Sequence, residues 1–167
     1  MAEVSNSKLM ELNTGIPHGD ACVVIVKTEW NAAIVDELEN GCKSKLKELG
    51  VVRIGTIVVP GAFEIPFGIK SYWDATKYQD DRPCCFIALG CVIRGDTPHF
   101  DYVCRGVTEG VGRLNLELPV PAIFGVLTVD NETQARERIG GRHGHKGEEA
   151  AVTALKMVAL TKSFKKK

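Results

Sequence analysis

The segment Gly90-Cys91-Val92-Ile93-Arg94-Gly95-Asp96-Thr97-Pro98-His99-Phe100 concentrates groups that could do chemistry. Gly95 offers a backbone turn that other residues resist, so the amides of Asp96 and Thr97 are placed to converge on an anion at the start of the next helix. The Thr97 hydroxyl adds a neutral donor, and the Asp96 carboxylate is expected to point away. His99 falls on the first helical turn, where an imidazole titrating near pH ~6.5 suits proton transfer in both directions. A plainer alternative has Asp96 and Thr97 capping the helix with His99 on its surface. This segment alone leaves both open.

Three other segments offer polar or aromatic groups beside turns: Lys27-Thr28-Glu29-Trp30-Asn31, Pro60-Gly61-Ala62-Phe63-Glu64-Ile65-Pro66 and Asp130-Asn131-Glu132. Glu64 could present its carboxylate to the N–H groups of a heterocycle, or serve as a first-turn acid favoured by the helix dipole. Trp30 offers a stacking plane, or a core or interface side chain. Phe124, inside an apolar run, reads as core. Arg138 and Lys146 flank a glycine-rich turn where positive charge could gather, whereas Arg136, Arg142, His143 and His145 read as a solvated loop. The His143-x-His145 pair lacks carboxylate or cysteine companions at ligand spacing, so no metal is expected. No P-loop or GxGxxG occurs.

The elements that must position these residues follow from the apolar pattern. Runs at 21–26, 53–59, 85–91 and 122–128 are rich in valine, isoleucine and phenylalanine and do not alternate with polar residues. Such strands belong to a parallel sheet whose two faces are both covered by helices. Between them, Ile34, Val35, Leu38, Cys42, Leu46 and Leu49 recur at helical spacing, with Gly50 as a stop. A second helix is expected after Pro66, a third over 100–118, a short one over 133–138 and a last over 147–164. The order predicts an α/β fold: a three-layer α/β/α sandwich on a four-stranded parallel sheet with right-handed crossovers. Ligands of such sheets bind beyond the carboxyl ends of the strands. Residues 1–20 stand outside the pattern as an N-terminal arm, and 21–167 form one domain.

Composition narrows the class. At 167 residues and 18.2 kDa, one domain is the expectation. Hydrophobic residues make up 44% and mean hydropathy is -0.02, with no run near the roughly 18 apolar residues of a membrane span. Lysine plus arginine equals aspartate plus glutamate at 21 each, so no global field attracts nucleic acid or an acidic membrane. The N-terminus, MAEVSNSKLMELNTG, has no basic stretch leading into an apolar core, and a cytoplasmic protein is expected. None of the six cysteines forms a C-x-x-C pair, and the vicinal Cys84 and Cys85 bridge only with strain. They read as small buried hydrophobes in a reducing compartment.

Taken together, PGAFEIP (60–66), GCVIRGDTPHFDYV (90–103), PAIFGVLT (121–128) and ARERIGGRHGHKGEEAA (135–151) resemble the 6,7-dimethyl-8-ribityllumazine synthase family, with motif order and spacing intact over residues 20–164. The resemblance implies a flavodoxin-like sheet and a transferase of riboflavin biosynthesis. Its substrates would be 5-amino-6-(D-ribitylamino)uracil and 3,4-dihydroxy-2-butanone 4-phosphate, and it would use no cofactor. It implies that His99 transfers protons, that Asp96 and Thr97 form the phosphate loop, and that Arg138 binds phosphate from a neighbouring subunit. Trp30 would stack on the pyrimidine. Ala62, Phe63 and Glu64, with Cys91, Val92 and Ile93, would touch the uracil and ribityl chain. Phe124 would close the pocket from the adjacent subunit, and Lys146 would add a cation. Trp30, Pro98 and Cys91 depart from the residues commoner in the family. The resemblance further implies a homopentamer; the absence of an insertion over 139–147 points to an icosahedral 60-mer, with riboflavin synthase as the partner such a shell would enclose. The main rival is a flavin- or lumazine-binding shell without catalysis, which would need neither His99 nor a phosphate loop.

Overall fold

A computed structural model describes residues 7–11 and 21–165. Strands β1 (Cys22–Thr28), β2 (Arg53–Val59), β3 (Cys85–Ile93) and β4 (Ala122–Val129) form one parallel sheet in the order β2-β1-β3-β4. Successive side chains of a strand point to opposite faces. Val23 and Ile25 therefore enter one apolar layer and Val24 and Val26 the other. Helices α1 (Ala32–Glu48) and α5 (Lys146–Lys165) close the first layer through Ile34, Leu38, Ala151 and Leu155. Helices α2 (Ile65–Thr76) and α3 (His99–Glu117) close the second through Ile65, Ile69, Val107 and Val111. This is the expected three-layer sandwich, and double coverage is why the strands carry no polar alternation.

The strand order sets where a ligand can enter. From β1 the chain steps outward to β2, then returns past β1 to β3. Right-handed crossovers require α1 on the face opposite α2 and α3, as found. The carboxyl ends of β1 and β3 thus part in opposite directions and leave a crevice between them, the usual binding point of such sheets.

Element limits differ from expectation where they bear on the site. β3 runs on past the expected Cys91 to Ile93, so Val92 and Ile93 are strand residues rather than the following loop. α2 begins at Ile65, before Pro66, after a single 3-10 turn over Ala62–Glu64; proline is tolerated there because the first-turn N–H has no intrahelical partner. Helix α4 (Glu132–Arg136) is capped by Asn131, whose side chain accepts from the Gln134 amide at 2.9 Å. The expected solvated loop after it is instead an antiparallel hairpin, β5 (Ile139–Gly141) and β6 (Gly144–His145). His145 is no loop residue: its side chain is only 11% exposed and its ring lies against Gly41 of α1, where any Cβ would overlap it. Cys42, Cys85 and Cys91 are buried as expected, but Cys22, Cys84 and Cys104 are partly exposed; the first two flank strand starts, at the rim of the core. The expected arm lies outside the described residues except for 7–11, where the Lys8 carbonyl accepts from Lys156 Nζ at 3.1 Å. Among the described residues no helix is long and apolar enough to cross a membrane.

One charged cluster interrupts the layer under α1. Lys27 Nζ on β1 reaches Glu39 Oε2 at 2.6 Å and Asp36 Oδ1 at 2.7 Å, while Lys43 Nζ and Thr56 Oγ1 meet Glu39 Oε1 at 2.6 and 2.9 Å. Glu39 is 8% exposed. Burial pushes its carboxyl up, but the hydrogen bonds from Lys27, Lys43 and Thr56 outweigh this and hold it at about 2, below the ordinary 4.5. A depressed folded-state value means stability present above the ordinary value and lost as pH falls through the folded one. Glu39→Gln is expected to lower stability at neutral pH by about 1.5–3 kcal/mol. In denaturant titrations the gap from the unsubstituted protein should close between about pH 5 and pH 2; a constant gap would contradict the assignment.

On the other face, α3 approaches the 62–66 turn at a glycine. A Cβ at Gly110 would lie 2.4 Å from the Pro66 ring, which cannot swing aside, whereas a Cβ at Gly112 would meet nothing within 4 Å. Gly112→Ala is expected to raise Tm through helix propensity alone, worth about 0.5–1 kcal/mol. Gly110→Ala is expected to lower Tm by about 2–4 °C despite the same propensity gain. Calorimetric shifts of the same sign for the two variants would refute the close approach.

Candidate active site

The loops that leave β1 and β2 are joined by backbone hydrogen bonds. The Glu29 amide donates to the Val59 carbonyl at 3.0 Å and the Trp30 amide to Pro60 at 3.4 Å. Asn31 adopts a left-handed conformation (φ 57°, ψ 42°), which asparagine tolerates better than most residues. Its side-chain Nδ2 donates to the Cys91 carbonyl at 2.8 Å. Three strand ends are thereby fixed to one another around the crevice.

The crevice opens into a cavity of about 670 Å³ whose lining combines Trp30 and Asn31, the 61–64 turn, Cys91–Ile93, and His99, Tyr102 and Val103 of α3. Eight of the residues expected in a site therefore come together here: Trp30, Ala62, Phe63, Glu64, Cys91, Val92, Ile93 and His99. Trp30 is 73% exposed, with its indole free to meet a planar ligand. Burial pushes the Cys91 thiol up to about 11, so it is a neutral, apolar wall at physiological pH. Polar side-chain groups in the lining come from Asn31, Glu64, His99, the Tyr102 hydroxyl and the Trp30 indole N–H.

Asp96 and Thr97 lie in the exposed 94–98 loop that leads into α3, beside the cavity's His99 rather than in its lining. Gly95 does not make the special turn expected of it: positive φ among the described glycines occurs only at Gly50, Gly140 and Gly144. The capping alternative also fails, since no side chain caps α3, whose N-cap position is Pro98. The first-turn amides are thus without a side-chain acceptor, in a field that favours an anion. The loop is held by Arg94, which escaped the sequence reading. Arg94 Nε meets Asp130 Oδ1 at 3.1 Å, Nη2 meets Asp101 Oδ1 at 3.2 Å, and the guanidinium lies 4.1 Å from the Phe100 ring centroid. Asn31, Gly61, Tyr102 and Val103 were also missed as lining residues; the first signals itself only through its backbone conformation.

Phe124, Arg138 and Lys146 do not line this cavity. Phe124 is not core: it stands on the edge strand β4 and is 41% exposed. Arg138 Nη1 donates to the Gln134 carbonyl at 2.7 Å, and its Nε is buried with no partner among the described residues. Lys146 opens α5 and pairs with Glu149 at 2.7 and 2.9 Å.

Comparison with known proteins agrees with this arrangement. The sequence model of the 6,7-dimethyl-8-ribityllumazine synthase family matches residues 20–162. A 6,7-dimethyl-8-ribityllumazine synthase of Parabacteroides distasonis is 52% identical, with 80% of this chain and 82% of the relative covered. One of Porphyromonas gingivalis is 49% identical over 87% of this chain and 89% of the relative, and one of Bdellovibrio bacteriovorus is 46% identical over 87% and 78%. A flavodoxin-like parallel sheet, a cavity at its switch point, and matched sequence over nearly the whole domain lead to one conclusion: the chain belongs to the 6,7-dimethyl-8-ribityllumazine synthase family.

Proposed function

We propose that this chain condenses 5-amino-6-(D-ribitylamino)uracil with 3,4-dihydroxy-2-butanone 4-phosphate to 6,7-dimethyl-8-ribityllumazine, releasing phosphate and water. The observation that carries the reading is the shared cavity of Trp30, the 62–64 turn, the end of β3 and His99. The pyrimidine stacks on Trp30, with Glu64 accepting from its N–H groups. The phosphate lies against the amides of Asp96 and Thr97 at the start of α3. The 5-amino group attacks the ketone, and the carbinolamine loses water to an imine. Phosphate is then eliminated, and the ribitylamino nitrogen closes the second ring with loss of another water. Each stage moves a proton, and His99 stands between the two substrate positions to carry it. A positioned imidazole contributes about 10²–10⁴-fold, while holding two reactants in register supplies roughly 7–11 kcal/mol of barrier. The site is therefore chiefly a template.

The site is completed by a neighbouring protomer in a homopentamer, which brings Phe124, Arg138 and Lys146 to the open side of the cavity. Exposed aromatic and aliphatic side chains support this: Phe63, Phe67, Tyr102, Leu116 and Phe124 would otherwise leave a large apolar area in water. The short β5–β6 hairpin has no insertion between α4 and α5, which supports further assembly into an icosahedral shell.

Mixing both substrates with the protein should generate the lumazine chromophore. His99→Ala should slow its appearance yet leave measurable product; complete inactivity of a correctly assembled variant would overturn the template reading. Arg138→Ala is expected to raise KM for the phosphate substrate about 10–100-fold, as loss of a charge-assisted contact worth about 1.5–3 kcal/mol requires. An unchanged KM, or a fully active monomer by light scattering, would show that no neighbour completes the site.

A further inference from the structure

Arg138 and Lys146 pair across the open end of the β5–β6 hairpin. The Lys146 amide donates to the Arg138 carbonyl at 2.8 Å, next to the Ile139–His145 pair of the ladder. Two mounts fix this end of the hairpin to the domain. On one side α4 enters the core through the wholly buried Ala135, and Arg138 Nη1 donates to the Gln134 carbonyl at 2.7 Å. On the other side the His145 ring lies on α1. A Cβ at Gly41 would overlap its Cε1, Nε2 and Nδ1 atoms, so the ring rests on bare helix backbone. The first turn of α5 comes equally close, since a Cβ at Gly147 would overlap the Leu38 carbonyl.

Packing, rather than hydrogen bonding, keeps this ring in place. Neither of its nitrogens has a hydrogen-bond partner among the described residues, and Glu37 Oε1 stands 4.0 Å from Nε2, too far for one. A close-packed contact of this kind transmits a displacement instead of absorbing it. We infer that His145 is a positioning residue: its ring, seated on Gly41, sets where the hairpin presents the Arg138 guanidinium to a phosphate. This rests on the proposed completion of the site by a neighbouring protomer and adds how the arginine it brings is placed. His145 does not line the cavity. Its effect therefore travels through Arg138 and is confined to the phosphate-bearing substrate.

The test is steady-state kinetics on the assembled full chain, with each substrate varied in turn. His145→Ala is expected to raise KM for 3,4-dihydroxy-2-butanone 4-phosphate roughly 3- to 30-fold, with kcat and the pyrimidine KM within about twofold. Gly41→Ala, which strikes the ring from α1 and leaves the hairpin sequence intact, should do the same. Adding Gly41→Ala to His145→Ala should change nothing further, because the ring it would strike is gone; this double variant refills the space and gives the same readout where His145→Ala alone does not assemble. Adding His145→Ala to Arg138→Ala should leave KM where Arg138→Ala alone puts it. An unchanged phosphate-substrate KM in His145→Ala, while Arg138→Ala raises it, would overturn the inference and leave the proposed function standing. Equal losses for both substrates, or effects of His145→Ala and Arg138→Ala that multiply, would overturn it too. An unchanged KM in Arg138→Ala would instead remove the reading beneath it, and the inference with it.

Discussion

Both faces of the sheet are covered by helices, and every residue from Val23 to Val26 of β1 and from Cys85 to Cys91 of β3 is buried. Polar chemistry has nowhere to go along the strands except at a cost that must be met by full pairing, as Glu39 shows with its lysines and threonine. It therefore collects at the strand ends. Because the chain turns outward after β1 and the other way after β3, those two ends part and leave a crevice into which segments from several elements can project. The cavity is a consequence of burying two faces of a four-stranded sheet in this order.

What the crevice holds is fixed by a few polar contacts rather than by bulk packing. Asn31 spends its side chain on the Cys91 carbonyl instead of capping its own helix, and so ties the Trp30 loop to β3. Arg94 performs the corresponding task on the far side, joining the end of β3 to α3 and to the loop beyond β4. Between them the stacking surface and the imidazole are held apart at a separation set by rigid elements. That is what the proposed template for two substrates needs, since holding reactants in register can supply roughly 7–11 kcal/mol of barrier.

Much of this was legible in the residues. The run 53–59 is a strand to the residue, because Ile54, Thr56, Ile57, Val58 and Val59 are β-branched and Pro60 ends it. The aromatic and acidic residues after the strands were identifiable as site candidates because nothing in a buried sheet explains them. Other features needed the third dimension. An apolar run encodes its burial but not its neighbours, so the order β2-β1-β3-β4 could not be read. β3 outran its expected end because Val92 and Ile93, next to glycine and arginine, look like the start of a loop. His145 stands in a string of polar and glycine residues and reads as solvated, yet α1 supplies the bare Gly41 surface that buries it. Gly95 misled in the opposite sense: its type suggests a strained turn that the backbone does not make.

The proposed reaction needs two ligand positions, one against Trp30 and one at the uncapped start of α3, with His99 between them. A crystal structure with a bound analogue carrying both a pyrimidine ring and a phosphoryl group measures this directly. The ring should stack on Trp30, and a phosphoryl oxygen should lie within hydrogen-bonding distance of the amides of Asp96 and Thr97. A phosphoryl group held elsewhere, or a ring that avoids the indole, would contradict the account.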